Sequence, residues 1–106
     1  MPDVYAFMPE GTPVNISASG TTASGTLTVK SAEARQATFK PIRIANLTSS
    51  TAYWRSGVGA QSAVTTDLAM PAGSVEVFSI PSTHDTLAVI LSAGTGTVQV
   101  QHGYGV

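Results

Sequence analysis

Residues 67–101, DLAMPAGSVEVFSIPSTHDTLAVILSAGTGTVQVQ, decide the fold of this chain. The stretch predicts three successive strands, SVEVFSI, TLAVILS and TVQVQ, separated by the turn sequences PST and AGTG. Three strands with a shared apolar face can form a sheet, and the rest of the chain must then supply a second layer to cover it. The period of two predicts that this face is made by Val75 and Val77, by Leu87, Val89 and Leu91, and by Val98 and Val100.

The N-terminal residues 1–13 carry three prolines, at positions 2, 9 and 13. Proline disfavours both helix and central strand, so we predict an extended arm over residues 1–13 and a single domain over residues 14–106. Two interpretations of the arm stay open: it anchors on another subunit, or it lies along its own domain as an edge strand. Its candidate contact residues are Val4, Tyr5, Phe7 and Met8.

Further strands follow the arm. Residues 14–29, VNISASGTTASGTLTV, predict a hairpin around a glycine-containing turn. In PIRIANL, residues 41–47, Ile42 and Ile44 face one way and Arg43 the other. In AYWRSG, residues 52–57, the single tryptophan, Trp54, is more typical of a core position than of a ligand platform.

Three residues add to the predicted contact surface. Tyr53 and Arg55 should point away from Trp54, and an aromatic ring beside a guanidinium is typical of a protein interface. Tyr104 lies between two glycines in the C-terminal HGYGV and indicates a docking terminus.

The fold class follows from strand number and spacing. Seven to eight strands recur about every 8–12 residues without helical segments between them, which is typical of a sandwich or barrel. We therefore predict an all-β protein with an antiparallel β-sandwich of jelly-roll type. Spacing alone leaves an immunoglobulin-like sandwich open, although the Cys–Trp–Cys pattern of antibody domains is missing.

Composition limits the function. The 106 residues contain no cysteine, carry a net charge of −1 and are only 10% charged, whereas soluble domains average about 25%. A surface without excess positive charge argues against nucleic-acid binding. No apolar run approaches the length of a membrane span, and the N-terminus lacks the features of a signal peptide. A weakly charged surface rich in small residues favours association with other protein subunits.

No set of residues predicts catalysis or metal binding. Ser82, His84 and Asp85 lie in the sequence STHD, which is more typical of a polar turn than of a hydrolase triad, and no GxSxG motif accompanies them. Two histidines eighteen residues apart, with isolated carboxylates, do not have metal-ligand spacing. We therefore expect no enzyme activity, no cofactor and no metal.

Three stretches resemble a family of small virion proteins of tailed bacteriophages: PIRIANLTSSTAYWRSG, TTDLAMPAGSVEVFSIP and TLAVILSAGTGTVQVQHGYG. Proteins of this kind show an R-I/L-x-N strand, a strand ending in Gly, a D-M-P-x-P-G-x-V-E-x-F turn and strand, and an L-A-x-I strand with a Gly-rich finish. The resemblance covers residues 41–105. This chain has Leu68-Ala69-Met70 where the family more often has Met-Pro nearby.

The resemblance implies a structural protein of the virion. Its preferred form is a capsid decoration, or cement, protein on the outside of the head, assembled as a trimer, made in the host bacterial cytoplasm and bound to the major capsid protein. Two alternatives stay open: a module associated with the tail or a fibre, and a carbohydrate-binding β-sandwich with Tyr53, Trp54 and Tyr104 as stacking platforms.

Overall fold

The computed structural model describes residues 8–9, 11–27 and 39–104. Every helix or strand element in these ranges is a β-strand, so the all-β prediction is confirmed. The strands are β1 (Met8–Pro9), β2 (Val14–Ala18), β3 (Ala23–Thr26), β4 (Phe39–Asn46), β5 (Ala52–Gly57), β6 (Leu68–Met70), β7 (Val75–Pro81), β8 (Thr86–Leu91) and β9 (Gly96–Tyr104).

The strands form two sheets in which all pairs are antiparallel. Sheet I has the order β2–β9–β4–β7, and the short β1 pairs with β9 beyond the end of β2. Sheet II has the order β3–β8–β5–β6. The predicted antiparallel β-sandwich is confirmed, with eight strands among the described residues when β1 and β2 are counted as one interrupted edge strand.

Strands that are distant in sequence pair in a nested pattern: β2 with β9, β3 with β8, β4 with β7 and β5 with β6. From β2 onward, consecutive strands therefore lie in different sheets, except for β5 and β6. The hairpin predicted over residues 14–29 is wrong, because β2 and β3 belong to different sheets. Ile16 pairs instead with Val98, so that the apolar side of β2 continues the apolar side of β9.

The core lies between the two sheets and takes side chains from both. In β4, β8 and β9 the alternating large apolar side chains point into the core, as the period of two predicts. Some residues on the opposite face of these strands are buried as well: Ala45, Ala88 and Gln101. Trp54 is only 7% exposed and meets the ring of Phe78 edge-on at a centroid distance of 4.9 Å, which confirms its core position. The buried cluster is formed by Ile16, Ala18, Leu27, Ile42, Ile44, Ala52, Trp54, Met70, Ile80, Leu87, Val89, Leu91, Val98 and Val100.

The predicted apolar face is wrong for β7. Val75 and Val77 are 48% and 42% exposed, whereas Phe78 packs against the core and Ile80 is buried. Both faces of SVEVFSI carry apolar residues, and the face with the phenylalanine and the isoleucine buries more apolar area when turned inward. The three strands of residues 67–101 also do not form one sheet: β8 lies in sheet II, and β4 separates β7 from β9 in sheet I.

Part of the predicted N-terminal arm is an edge strand of sheet I. Pro9 lies opposite Gly103, and the next pair along β9 joins Val14 to Val100, so four arm residues span two residues of β9. Gly11 lies in this break with a φ of +74°, a conformation that favours glycine. Residues 1–7, including Val4, Tyr5 and Phe7, lie outside the described residues.

Candidate functional site

A groove of about 480 Å³ opens on the outer face of sheet I. It is lined by Pro9, Arg43, Val77 and Gln101, and we call it the outer groove. Four different strands supply these residues, and their register brings them together: Arg43 on β4 pairs with Val77 on β7 and with Gln101 on β9. The lining residues therefore run in a row across the sheet, from the β1 edge to the β7 edge.

Gln101 forms a fixed wall of the outer groove. Its side chain is only 7% exposed although it lies on the outer face. Its Nε2 donates to the carbonyl oxygen of His102 at 2.9 Å and to that of Gly11 at 3.3 Å. The second bond ties β9 to the break between β1 and β2, so the glutamine also holds the nearby Pro9 segment against the sheet.

Arg43 supplies the positive charge of the outer groove. The residue is half-buried, and its guanidinium has no hydrogen-bonding or ion-pair partner within the described ranges. Arg55, on the outer face of sheet II, is different: its guanidinium contacts the carboxylate of Asp67 at 3.2 Å. Among the described residues, the outer face of sheet I therefore has an arginine without a partner, Arg43, and that of sheet II has an ion-paired arginine, Arg55.

Exposed apolar side chains adjoin the outer groove along β4 and β7. Phe39 is 58% exposed, and Val75 and Val77 follow on the same face of sheet I. In the described part of the chain, β7 pairs only with β4, so its other edge carries unpaired backbone groups. The outer face of sheet I thus combines an apolar strip, one cation and an open strand edge.

The predicted contact residues do not form one surface. Tyr53 is half-buried and Arg55 exposed on the outer face of sheet II, opposite to Trp54 as predicted. Met8 and Tyr104 lie opposite each other where β1 pairs with β9 at one edge of sheet I. Sequence reasoning missed Arg43, Val77 and Gln101 as a set, because 58 residues separate the first from the last and only strand register unites them.

Two side chains of the polar turn STHD, His84 and Asp85, hydrogen-bond to neighbouring residues. Ser56 Oγ and His84 Nδ1 lie 2.8 Å apart. Asp85 does not orient this histidine; its Oδ1 accepts hydrogen bonds from the Gly59 N–H and from the Thr86 hydroxyl, both at 3.0 Å. These two bonds lower the pKa of the Asp85 carboxyl. Ser56 and His84 therefore form a polar pair to which, in the described ranges, no carboxylate is bonded.

Lys40 lies at the same end of the sandwich and is 2% exposed. Burial lowers the pKa of its ammonium group, and the negative charge of Asp85 acts in the opposite direction. No group of three or more metal-ligating side chains occurs among the residues that the structure describes. The same residues include no helix long and apolar enough to cross a membrane.

Asn46, from the R-I-A-N strand, occupies the opposite end of the sandwich and is fully buried. Its Nδ2 donates to the carbonyl oxygens of Ser50, Met70 and Pro71 at 2.9–3.1 Å, and its Oδ1 accepts from the N–H and the hydroxyl of Thr48. We call this network the Asn46 lock. The Asn46 lock therefore connects the stretch PIRIANLTSSTAYWRSG to the stretch TTDLAMPAGSVEVFSIP.

Comparison with known proteins adds no family: no protein-family model, no curated protein and no solved structure matches this chain.

Proposed function

We propose that this chain is a structural protein of a tailed-phage virion, and that it decorates the outside of the head shell as a homotrimer. The outer face of sheet I is the observation on which this proposal chiefly rests. Phe39, Val75 and Val77 expose apolar area there beside the outer groove. Contiguous exposed apolar surface on a small domain is a feature of protein-binding sites.

The fold assignment within this proposal is a jelly roll. Nested pairing of strands, with β2 on β9 outermost and β5 on β6 innermost, supports that assignment. Jelly rolls occur in viral capsid domains and in lectins, among others, so this support is an analogy of fold. The resemblance of residues 41–105 to phage virion proteins favours the first of these uses.

Low charge supports assembly rather than a solitary domain. Only 10% of residues are charged, and the net charge is −1, so copies of the chain repel one another weakly. The open edge of β7 offers backbone groups for strand addition by a neighbouring subunit. Many weak contacts repeated over a shell give high avidity without any single strong site. Tyr53, Arg55 and the paired ends of β1 and β9 are the further contact candidates.

The proposed partners are the major capsid protein and other copies of this chain, and the proposed location is the virion surface after synthesis in the host cytoplasm. The proposed role includes no catalytic step and no cofactor. A tail- or fibre-associated virion module is the alternative, and the position of the chain in an image of the particle separates the two. The carbohydrate-binding alternative loses one of its three platforms, because Trp54 is in the core.

Co-sedimentation with heads of a phage that encodes the chain tests the proposal. Purified protein should pellet with heads that lack it, and analytical ultracentrifugation should show an oligomer in solution. Val77→Asp should abolish pelleting, because it places a charge in the apolar strip. Val58→Asp is the matched control, since Val58 is 64% exposed in a loop after β5. A monomer that never associates with heads would refute the proposed function.

A further inference from the structure

The guanidinium of Arg43, which has no partner among the residues that the structure describes, indicates what the outer groove can bind. An arginine side chain presents five N–H donors in a planar fork that matches a carboxylate. Arg43 is half-buried between the described strands β7 and β9, yet within the described ranges no acceptor meets its donors. Arg55 shows the satisfied arrangement on the same molecule, with Asp67 at 3.2 Å.

The other lining residues determine the shape of the ligand. Val77 and Pro9 are apolar walls on either side of the cation, and Gln101 is held in place by its two carbonyl acceptors. A volume of about 480 Å³ exceeds what one small anion fills. The groove instead fits a carboxylate side chain together with an adjacent apolar side chain of an extended peptide.

The charges on this chain argue against a second copy as the source of that carboxylate. Asp67 is paired with Arg55, and Asp85 accepts bonds from its own loop and from Thr86. In the described ranges this leaves only Glu76, which pairs with the core residue Ile44 and therefore lies on the face of β7 opposite to the groove residue Val77. Charge complementarity therefore favours a different polypeptide.

We propose that the outer groove binds an acidic, extended segment of a partner protein, with an aspartate or glutamate carboxylate on the Arg43 guanidinium and an aliphatic side chain against Val77. The identification of the partner as the major capsid protein rests on the proposed function. The binding of an acidic segment by the groove is inferred from the groove residues alone and does not rest on that function.

Nuclear magnetic resonance titration of the isolated protein tests the groove directly. The probe is a pool of acetylated, amidated pentapeptides with a central Asp or Glu between varied aliphatic residues, and the matched pool has Asn or Gln at the centre. The acidic pool should shift the Arg43 side-chain Nε–H and the amides of Val77 and Gln101. The neutral pool should bind roughly tenfold more weakly, because it lacks the charge-assisted pair.

Two arginine variants make the test specific. Arg43→Gln should reduce binding of the acidic pool to the level of the neutral pool, whereas Arg55→Gln should leave it unchanged because that side chain lies on sheet II. Arg43→Lys should bind with intermediate strength, since it keeps the charge and loses the fork. Equal binding of both pools, undiminished binding by Arg43→Gln, or the absence of any shift at the groove would each overturn the inference.

Head co-sedimentation separates this inference from the proposed function. Wild-type protein that pellets with heads while Arg43→Gln pellets equally well contradicts the groove assignment and leaves the function intact. A groove that binds acidic peptides on a protein that never associates with heads contradicts the function and leaves the groove assignment intact.

Discussion

Replacing Asn46 with alanine should destabilise the protein more than any other single removal of a polar side chain in the described strands. The Asn46 amide is fully buried and bonds to three carbonyl oxygens and to both donors of Thr48. Some of these groups keep a second partner: the Pro71 carbonyl still accepts from Ser74, and the Thr48 hydroxyl still donates to Ser50. In the alanine variant, the Thr48 N–H loses its acceptor, the Asn46 Oδ1 atom.

The expected loss of stability follows from the number of hydrogen bonds that the substitution removes. An orphaned buried donor costs about 1–3 kcal/mol, and each further net hydrogen bond contributes about 1 kcal/mol. We expect Asn46→Ala to lower the free energy of unfolding by about 3–4 kcal/mol, a large fraction of the roughly 5–15 kcal/mol of a typical domain. For a domain of this size the melting temperature should fall by about 15–25 °C.

Urea and thermal unfolding, followed by the fluorescence of the buried Trp54, measure this loss. Asn15→Ala is the matched control, because Asn15 is exposed on β2 and its side chain hydrogen-bonds only to that of Gln99 among the described residues. That variant should change the free energy of unfolding by less than about 0.5 kcal/mol. An Asn46→Ala protein as stable as the control would refute the role assigned to the lock.

Asn46→Asp gives an independent check with a pH signature. The introduced carboxyl keeps the acceptor for Thr48 but directs its second oxygen at three carbonyl oxygens, so its folded-state pKa should rise above the unfolded value near 3.9. A raised folded pKa means that stability relative to wild type is greatest in acid and is lost as pH rises through that pKa. A stability difference from wild type that does not vary with pH would contradict this geometry.

Three further outcomes follow from buried and hydrogen-bonded groups. Lys40→Met should raise the free energy of unfolding at neutral pH, because the pKa of the Lys40 ammonium is lowered in the folded state and the charged form is therefore costly there. The stability difference from wild type should shrink as pH approaches 10.5, where the lysine is neutral in the folded protein. Urea unfolding at pH 7 and at pH 10 measures this difference at both pH values. The pKa of the Asp85 carboxyl is lowered in the folded state, so its contribution to the free energy of unfolding is complete above about pH 4 and is lost as pH falls through the folded pKa. Asp85→Asn should remove this acid-side dependence of stability on pH. An unchanged dependence would contradict the hydrogen bonds from Gly59 and Thr86. Val89→Asp should prevent folding because Val89 is fully buried, whereas Val58→Asp should fold normally; soluble, native-like Val89→Asp protein in circular dichroism would contradict the placement of β8.

Local pattern predicted the strands themselves. In β4 and β9, alternation of apolar and polar residues predicted both the strand and the side that is buried, because only one side carries a row of large apolar residues. In β8 both sides carry apolar residues, and the predicted side with Leu87, Val89 and Leu91 is buried. The core position of Trp54 was predicted on a different ground, because a single tryptophan in a β-rich chain is more typical of a core residue than of a ligand platform. The turn sequences PST and AGTG correctly separated β7, β8 and β9, although β7 extends through Pro81.

Where both faces of a strand are apolar, the sequence did not decide which one is buried. In SVEVFSI, Val75 and Val77 alternate as regularly as Phe78 and Ile80 do, and only contact with Trp54 across the sandwich favours the larger pair. The arm was open to two interpretations for a similar reason, and the described part of it, Met8–Pro9, pairs with β9.

The sequence by itself determined that this chain is a weakly charged β-protein. Segments in which apolar and polar residues alternate form most of its strands, and segments rich in proline and glycine form turns. Those features depend on residues one or two positions apart. Tertiary structure decided which strands pair, why Asn46 is buried and how Pro9, Arg43, Val77 and Gln101 come to line one groove. These depend on contacts between residues tens of positions apart, which form only when two sheets bury their apolar sides against each other.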